Sequence, residues 1–240
     1  MSSAARAAKR ALVVADGDVP SLGALDSAWP GWDRGVDLVV AADGGWDKAE
    51  GLGLRPDLLV GDADSLPEER FLALAADGVA IERSPTTKDE SDAELAMLAA
   101  LRRGATQITV LGALGGKRFD HTIANVGLLG LPAPDDADVE LLDGSTRVRL
   151  LRAPASDGQI ARCSLAGSTD DLVSLLPVGE PALGVTTDGL LYSLREEDLL
   201  PGPARGLSNV RVAADASVTL RGGRLLVIET RAVSSNVEAT

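Results

Sequence analysis

Between residues 11 and 142, short apolar runs of strand length alternate with stretches of helical periodicity. This alternation restricts the fold more than any other feature of the chain. The runs at 11–15, 37–42, 57–60, 79–82, 107–111 and 139–142 are rich in Val, Leu, Ile and Ala, as strands buried on both faces must be. The segments 46–51, 67–76, 90–103 and 120–129 read as helices. In the clearest of them, 90–103, Leu95, Leu98, Ala99 and Leu101 fall near helical spacing, and Gly104 supplies the stop. Pro67 stands early in its helix, where a missing N–H costs nothing. The pattern predicts an α/β fold with an open parallel sheet and helices on both faces.

The second half follows a different rule. From about Thr146 onward no long helical pattern appears. Short alternating stretches at 147–151, 159–163, 172–176, 182–186, 217–220 and 225–228 are separated by Gly and Pro turns, the pattern of a small antiparallel sandwich or barrel. The boundary is placed near Gly144, giving an α/β domain over 1–144 and a smaller all-β domain over 145–240. With 45% hydrophobic but only 2% aromatic residues, both cores must be built from Leu, Val and Ala. Residues 1–8 and about 232–240 are expected to fray.

The formal net charge is −13. This argues against a general nucleic-acid binder, which needs a basic surface against phosphates. It leaves room for one nucleotide, because a metal can bridge acidic protein to acidic ligand. No apolar run is long enough to span a bilayer. Arg6, Lys9 and Arg10 precede an apolar stretch, but that stretch runs at once into Asp16-Gly17-Asp18. It is read as a first strand and not as a signal peptide. The single cysteine, Cys163, forbids an internal disulfide and fits a reducing, cytoplasmic setting; as a small buried hydrophobe it needs no further role.

Four acidic patches sit where a strand should stop: Asp43-Gly44-Gly45, Asp62-Ala63-Asp64-Ser65, Lys88-Asp89-Glu90-Ser91-Asp92, and the run from Gly115 to His121. In an open parallel sheet, ligands bind at the carboxyl ends of the strands. Carboxylates from four such loops would converge there and repel one another unless a cation intervenes. Asp62 and Asp64, two residues apart in an extended loop, can point the same way and suit magnesium with substrate phosphate; they serve equally well as turn and cap residues. Ser91 or Asp89 can cap the following helix, and a helix N-terminus beside Lys88 is a natural phosphate seat. Glycines after Asp43 permit close approach of backbone to a ligand. His121, the only histidine, has either a structural or an acid–base role. Ser208 and Asn209 offer groups that can orient a polar heterocycle or close a turn.

Taken together, the motifs resemble the thiamine pyrophosphokinase (thiamine diphosphokinase) family from about Ala11 to Thr230. The carriers are Ala-Asp-Gly-Gly at 42–45, Gly-Asp-x-Asp-Ser at 61–65, Lys-Asp-x-Ser-Asp at 88–92, the Gly-Gly-Arg-x-Asp-His-type run ending at His121 with Asn125 beyond, Gly-Val-Thr-Thr-x-Gly-Leu at 184–190 with Tyr192, and Leu-Ser-Asn at 207–209. Ser91 stands where the family usually has Thr, and Lys117 is an extra residue before the Arg. The resemblance implies transfer of the pyrophosphoryl group of ATP to the hydroxyl of thiamine, with Mg2+ required and a homodimer sharing the thiamine site. It implies a catalytic ATP and magnesium domain over 1–144 and a thiamine-binding domain over 145–240. Asp62, Asp64 and Asp92 are then the metal and catalytic set. Asp43, Gly44, Gly45, Lys88, Asp89 and Arg118 surround the nucleotide phosphates, Asp120 meets the thiamine hydroxyl, and Ser208 and Asn209 face the thiamine ring. The alternatives are a non-catalytic nucleotide or thiamine sensor, and pyrophosphoryl transfer to another alcohol such as a pterin.

Overall fold

The computed structural model describes residues 9–62, 67–85, 87–132, 137–153 and 158–232. Residues 1–8 and 233–240, within the stretches expected to fray, lie outside the described residues. The chain divides into two compact units, Met1–Gly144 and Ser145–Thr240.

In the first unit the strands are β1 (Arg10–Val14), β2 (Leu38–Ala42), β3 (Leu58–Gly61), β4 (Ala80–Arg83), β5 (Gln107–Leu111) and β6 (Asp138–Leu142). They lie in the order β6-β5-β1-β2-β3-β4, and every pairing is parallel. The helices are α1 (Leu22–Ala28), α2 (Gly45–Gly51), α3 (Glu68–Ala76), α4 (Asp92–Arg102) and α5 (Phe119–Leu128). Alternate residues of the central strands serve opposite faces. On one face Leu12, Val14 and Val39 pack with Leu25, Trp29, Trp32, Ala49 and Leu52. Ala41 and Leu59 extend that face to Trp46 and Leu74. Ala11, Val13, Val40 and Leu58 are equally buried, and α4 packs across β1, β2 and β3. Each Leu or Val so enclosed stabilises the fold by roughly 1.5–3 kcal/mol. Burial on both faces is why these strands read as near-continuous apolar runs.

Helix α1 is absent from the sequence reading. It is short, it buries only Leu25, and its start depends on one hydrogen bond, from the Ala24 amide to Ser21 Oγ at 3.3 Å. Trp29, just past its end, anchors it by donating to the Asp143 carbonyl at 2.9 Å.

The second unit contains β7 (Thr146–Arg152), β8 (Ala161–Leu165), β9 (Leu172–Pro177), β10 (Ala182–Asp188), β11 (Glu197–Leu199), β12 (Asn209–Val210), β13 (Ala216–Leu220) and β14 (Arg224–Thr230). They form two antiparallel groups, β12-β9-β14-β7 and β11-β10-β13-β8. Their inner residues, among them Leu175, Val227, Val185 and Val218, share one core. The short strands β11 and β12 carry too few residues to show alternation, so the sequence reading passes over them. One buried charge organises the group: Glu229, 2% exposed, accepts from Arg147 at 2.9 and 3.0 Å, from Arg149 at 2.7 Å and from the Ala166 amide at 2.8 Å. Among the described residues no helix is long and apolar enough to cross a membrane.

Two expected outcomes follow. A Cβ on Gly45 would fall on the Val14 carbonyl oxygen, which is backbone and cannot step aside. Gly45→Ala should therefore lower stability by about 1–3 kcal/mol, the usual cost of overpacking, measured by urea unfolding. Glu229→Gln should cost about 3–5 kcal/mol, because it leaves two arginines without their buried counter-charge; a melting temperature within a degree of the parent would refute the second.

Candidate active site

The carboxyl ends of β1, β2 and β5 border a cleft of about 550 Å3, a volume suited to a small ligand. It lies where the strand order reverses: the chain runs from β1 through β4 in one direction, and β5 then takes the other side of β1. Flanking loops must diverge at such a point, which opens a crevice.

Three carboxylates meet there. One oxygen each from Asp43, Asp62 and Asp92 lies within 4.8 Å of the others. Asp43 follows β2 and is 4% exposed. Its φ of +47° is a left-handed conformation that Asp tolerates better than most residues, and its carbonyl receives the Trp46 amide at 3.1 Å as α2 begins. Asp62 follows the last residue of β3. That residue is Gly61, where a Cβ would lie 3.1 Å from Asp43 Cβ and 3.2 Å from Asp92 Oδ1. The missing side chain is what lets the acids close up. Asp92 opens α4, which Ser91 caps by accepting the Glu94 amide at 3.1 Å. The positive end of the helix favours a carboxylate at that position.

Lys88 stands among these acids. Its Nζ lies 2.5 Å from Asp92 Oδ1 and 3.6 Å from Asp62 Oδ2, and it donates to Ser84 Oγ at 2.9 Å. Burial works against its charge, but the hydrogen bond and charge of Asp92, with those of Asp62, outweigh it and hold its pKa above the ordinary value. One ammonium against three carboxylates leaves net negative charge. A donor set made only of oxygens, with that residual charge, fits a hard divalent cation such as magnesium.

Two loops complete the cleft. Asp16 and Gly17, after β1, line it. Lys48 of α2 holds that loop: it donates to the Asp16 carbonyl and, at 2.6 Å, to the Gly17 carbonyl, and pairs with the Asp16 carboxylate at 3.2 Å. Asp16, Gly17 and Lys48 are not among the site residues expected from sequence. The signal was available, since Asp16-Gly17 follows a buried strand as Asp43-Gly44 does. After β5, Lys117, Arg118 and His121 line the cleft. Arg118 grips Asp120 through two bonds, of 2.9 and 2.5 Å. This pairing, mainly through its hydrogen bond, holds the exposed Asp120 carboxyl down at about 2. Asn125 donates to the Ala113 carbonyl at 3.0 Å and ties α5 to the same loop.

The residues expected from sequence are thus distributed unevenly. Asp43, Asp62, Lys88, Asp92 and Arg118 come together at the cleft. Asp43 joins the carboxylate cluster itself, whereas the sequence reading sets it beside the phosphates. Gly44 and Gly45 begin α2; Asp89 is exposed, and neither it nor Asp120 lines the cleft. Asp64 lies outside the described residues. In the second unit Ser208 is exposed, with φ of +56°. Asn209 is buried, and its amide is engaged by main chain: it accepts from the Tyr192 and Val210 amides, both at 2.9 Å, and donates to the Tyr192 carbonyl at 2.8 Å.

Comparison with known proteins finds a family match in each unit. The family model described as thiamin pyrophosphokinase, catalytic domain, matches residues 32–141. That described as thiamin pyrophosphokinase, vitamin B1 binding domain, matches residues 162–225. A thiamine pyrophosphokinase of Bacillus subtilis is 24% identical over 200 residues, covering 83% of this chain and 86% of its own. Thiamine pyrophosphokinase 3 of Oryza sativa is 28% identical over 210 residues, covering 79% of this chain and 76% of its own. The crystal structure of the Bacillus subtilis thiamine pyrophosphokinase superposes with a TM-score of 0.78 at 22% identity, over 94% of this chain and 100% of that one. With both family models matched in order and the carboxylate cluster inside the first, the chain belongs to the thiamin pyrophosphokinase family.

Proposed function

We propose that the protein is a thiamine diphosphokinase, moving the pyrophosphoryl group of ATP to the hydroxyl of thiamine and releasing thiamine diphosphate and AMP. The observation that carries this reading is the pairing of the two matched family models with the Asp43, Asp62 and Asp92 cluster at the sheet's switch point. A retained carboxylate cluster favours a catalyst over a sensor built on the same scaffold.

Pyrophosphoryl transfer asks a protein mainly to position reactants and neutralise charge. Asp43, Asp62 and Asp92 would hold magnesium. When bound, the ion supplies charge neutralisation for the polyphosphate and the departing AMP. Lys88, held charged between Asp62 and Asp92, keeps that cluster compact and offers a cation to phosphate at the head of α4. We assign the proton side of the reaction to Asp120, which stands outside the cleft lining but is held by Arg118, which lines it. Paired with Arg118 it is a weak base, because its carboxyl sits near 2. Once Arg118 turns to a phosphate oxyanion, Asp120 returns toward ordinary carboxylate basicity and can accept or orient the thiamine hydroxyl proton. We assign recognition of the thiamine ring to the second unit, with Ser208 presented by a left-handed backbone and Asn209 bracing the segment around Tyr192. We further propose a homodimer that shares the thiamine site, working in the cytoplasm, where a single cysteine is stable in reduced form.

The direct assay is incubation with thiamine and Mg-ATP alone, with thiamine diphosphate and AMP as products. Asp62→Asn and Asp92→Asn should each lower turnover at least about 100-fold, the scale of losing one preorganised electrostatic element, with folding retained because a mutually repelling charge is removed. Near-parental turnover of both at saturating magnesium would remove the cluster from the mechanism. Asn209→Ala should lower the melting temperature and raise the thiamine KM while leaving that for ATP within about twofold. A selective loss of ATP affinity would mean that the second unit does not carry the thiamine site.

A further inference from the structure

We infer that Lys117 is a substrate-binding residue that takes an oxyanion of the nucleotide's polyphosphate chain. This rests on the proposed reading of the cleft as the ATP site. Three cations line the cleft: Lys88, Lys117 and Arg118. The side chains of two are already committed. Lys88 is held by Asp62 and Asp92, and Arg118 by both oxygens of Asp120. Lys48, beside the cleft, is spent on the Asp16 and Gly17 carbonyls. Among the described residues, the ammonium of Lys117 has no ion pair and no hydrogen bond. It is the cleft cation that can receive an incoming anion without first breaking a bond.

Backbone packing determines where Lys117 emerges. A Cβ on Gly115 would lie 3.0 Å from Asp18 Cβ, so the segment after β5 is pressed against the loop after β1. Gly116, with φ of +119°, then turns the chain so that Lys117 is exposed just ahead of α5. Arg118, at the N-cap of α5, makes no side-chain capping bond, so the first-turn amides add positive potential beside the Lys117 ammonium. A lysine in this position acts as a flexible point charge with three donors, and this suits a phosphate oxygen whose position changes during transfer. The remaining cleft charge is acidic, which makes one uncommitted cation disproportionately important for admitting a polyanion.

The test is calorimetric titration of Mg-ATP into the parent, Lys117→Met and Lys117→Arg proteins, together with the KM values for Mg-ATP and thiamine. Lys117→Met should weaken Mg-ATP binding and raise its KM about tenfold, the scale of a lost charge-assisted hydrogen bond. The thiamine KM should stay within twofold and the melting temperature should be unchanged, since the side chain is exposed. Lys117→Arg should recover most of the affinity, and the difference between parent and Lys117→Met should shrink as salt is raised. Mg-ATP binding by Lys117→Met within twofold of the parent overturns the inference. A parent that binds Mg-ATP but makes no thiamine diphosphate overturns the proposed function and leaves the Lys117 comparison intact. A parent that does not bind Mg-ATP overturns both.

Discussion

The first unit depends on the close approach of backbone to backbone around the end of β1. That strand is paired on both edges, to β2 and to β5, and it is buried from Ala11 to Val14. At its carboxyl end the chain must leave without a gap, because water cannot satisfy main-chain groups enclosed on all sides. The Gly17 amide bonds the Gly112 carbonyl at 3.1 Å. A Cβ on Gly17 would fall on that same carbonyl, one on Gly112 on the Ala15 carbonyl, and one on Gly45 on the Val14 carbonyl. Three loops therefore share a space that admits only glycine. The cleft exists because β1 ends there while its neighbours turn away on either side.

That geometry sets an electrostatic problem and supplies its local answer. Loops leaving adjacent parallel strands carry their first side chains to the same end of the sheet, so Asp43 and Asp62 come together whether or not their charges favour it. Asp92 joins them from the head of α4, where the helix end offsets part of its charge. Lys88 offsets more, and against the effect of burial the acids hold its pKa above the ordinary value. The cluster stays short of neutral, as the proposed cation site requires. Arg118, which lines the cleft, is paired with Asp120, so in the proposed mechanism an anion must compete for the arginine.

The architecture of both units was legible because each depends on local periodicity. Strands such as 107–111 are apolar throughout since both faces are covered, and α4 shows its inward stripe at helical spacing. Elements governed by other forces were harder to read. Helix α1 is held mainly by one cap and by Trp29, whose partner Asp143 lies far along the chain. Strands β11 and β12 are too short for a period to show. The approximate site was legible for the same reason as the sheet: an acidic residue directly after an apolar run lies at the carboxyl end of a strand.

What sequence alone determined is the order of strands and helices, the change of rule near Gly144, and the set of acids and bases available at the strand ends. These are properties of neighbours along the chain. Which of them touch was decided by tertiary structure. Asp43 belongs with Asp62 and Asp92 because β2 and β3 are adjacent and Gly61 leaves the room. Asp16 belongs to the cleft wall, and Lys48 holds it there because α2 returns over the end of β1. Asn209 supports its own segment because Tyr192 lies across from it. Each of these depends on distances between residues remote in sequence, and periodicity carries no information about such distances.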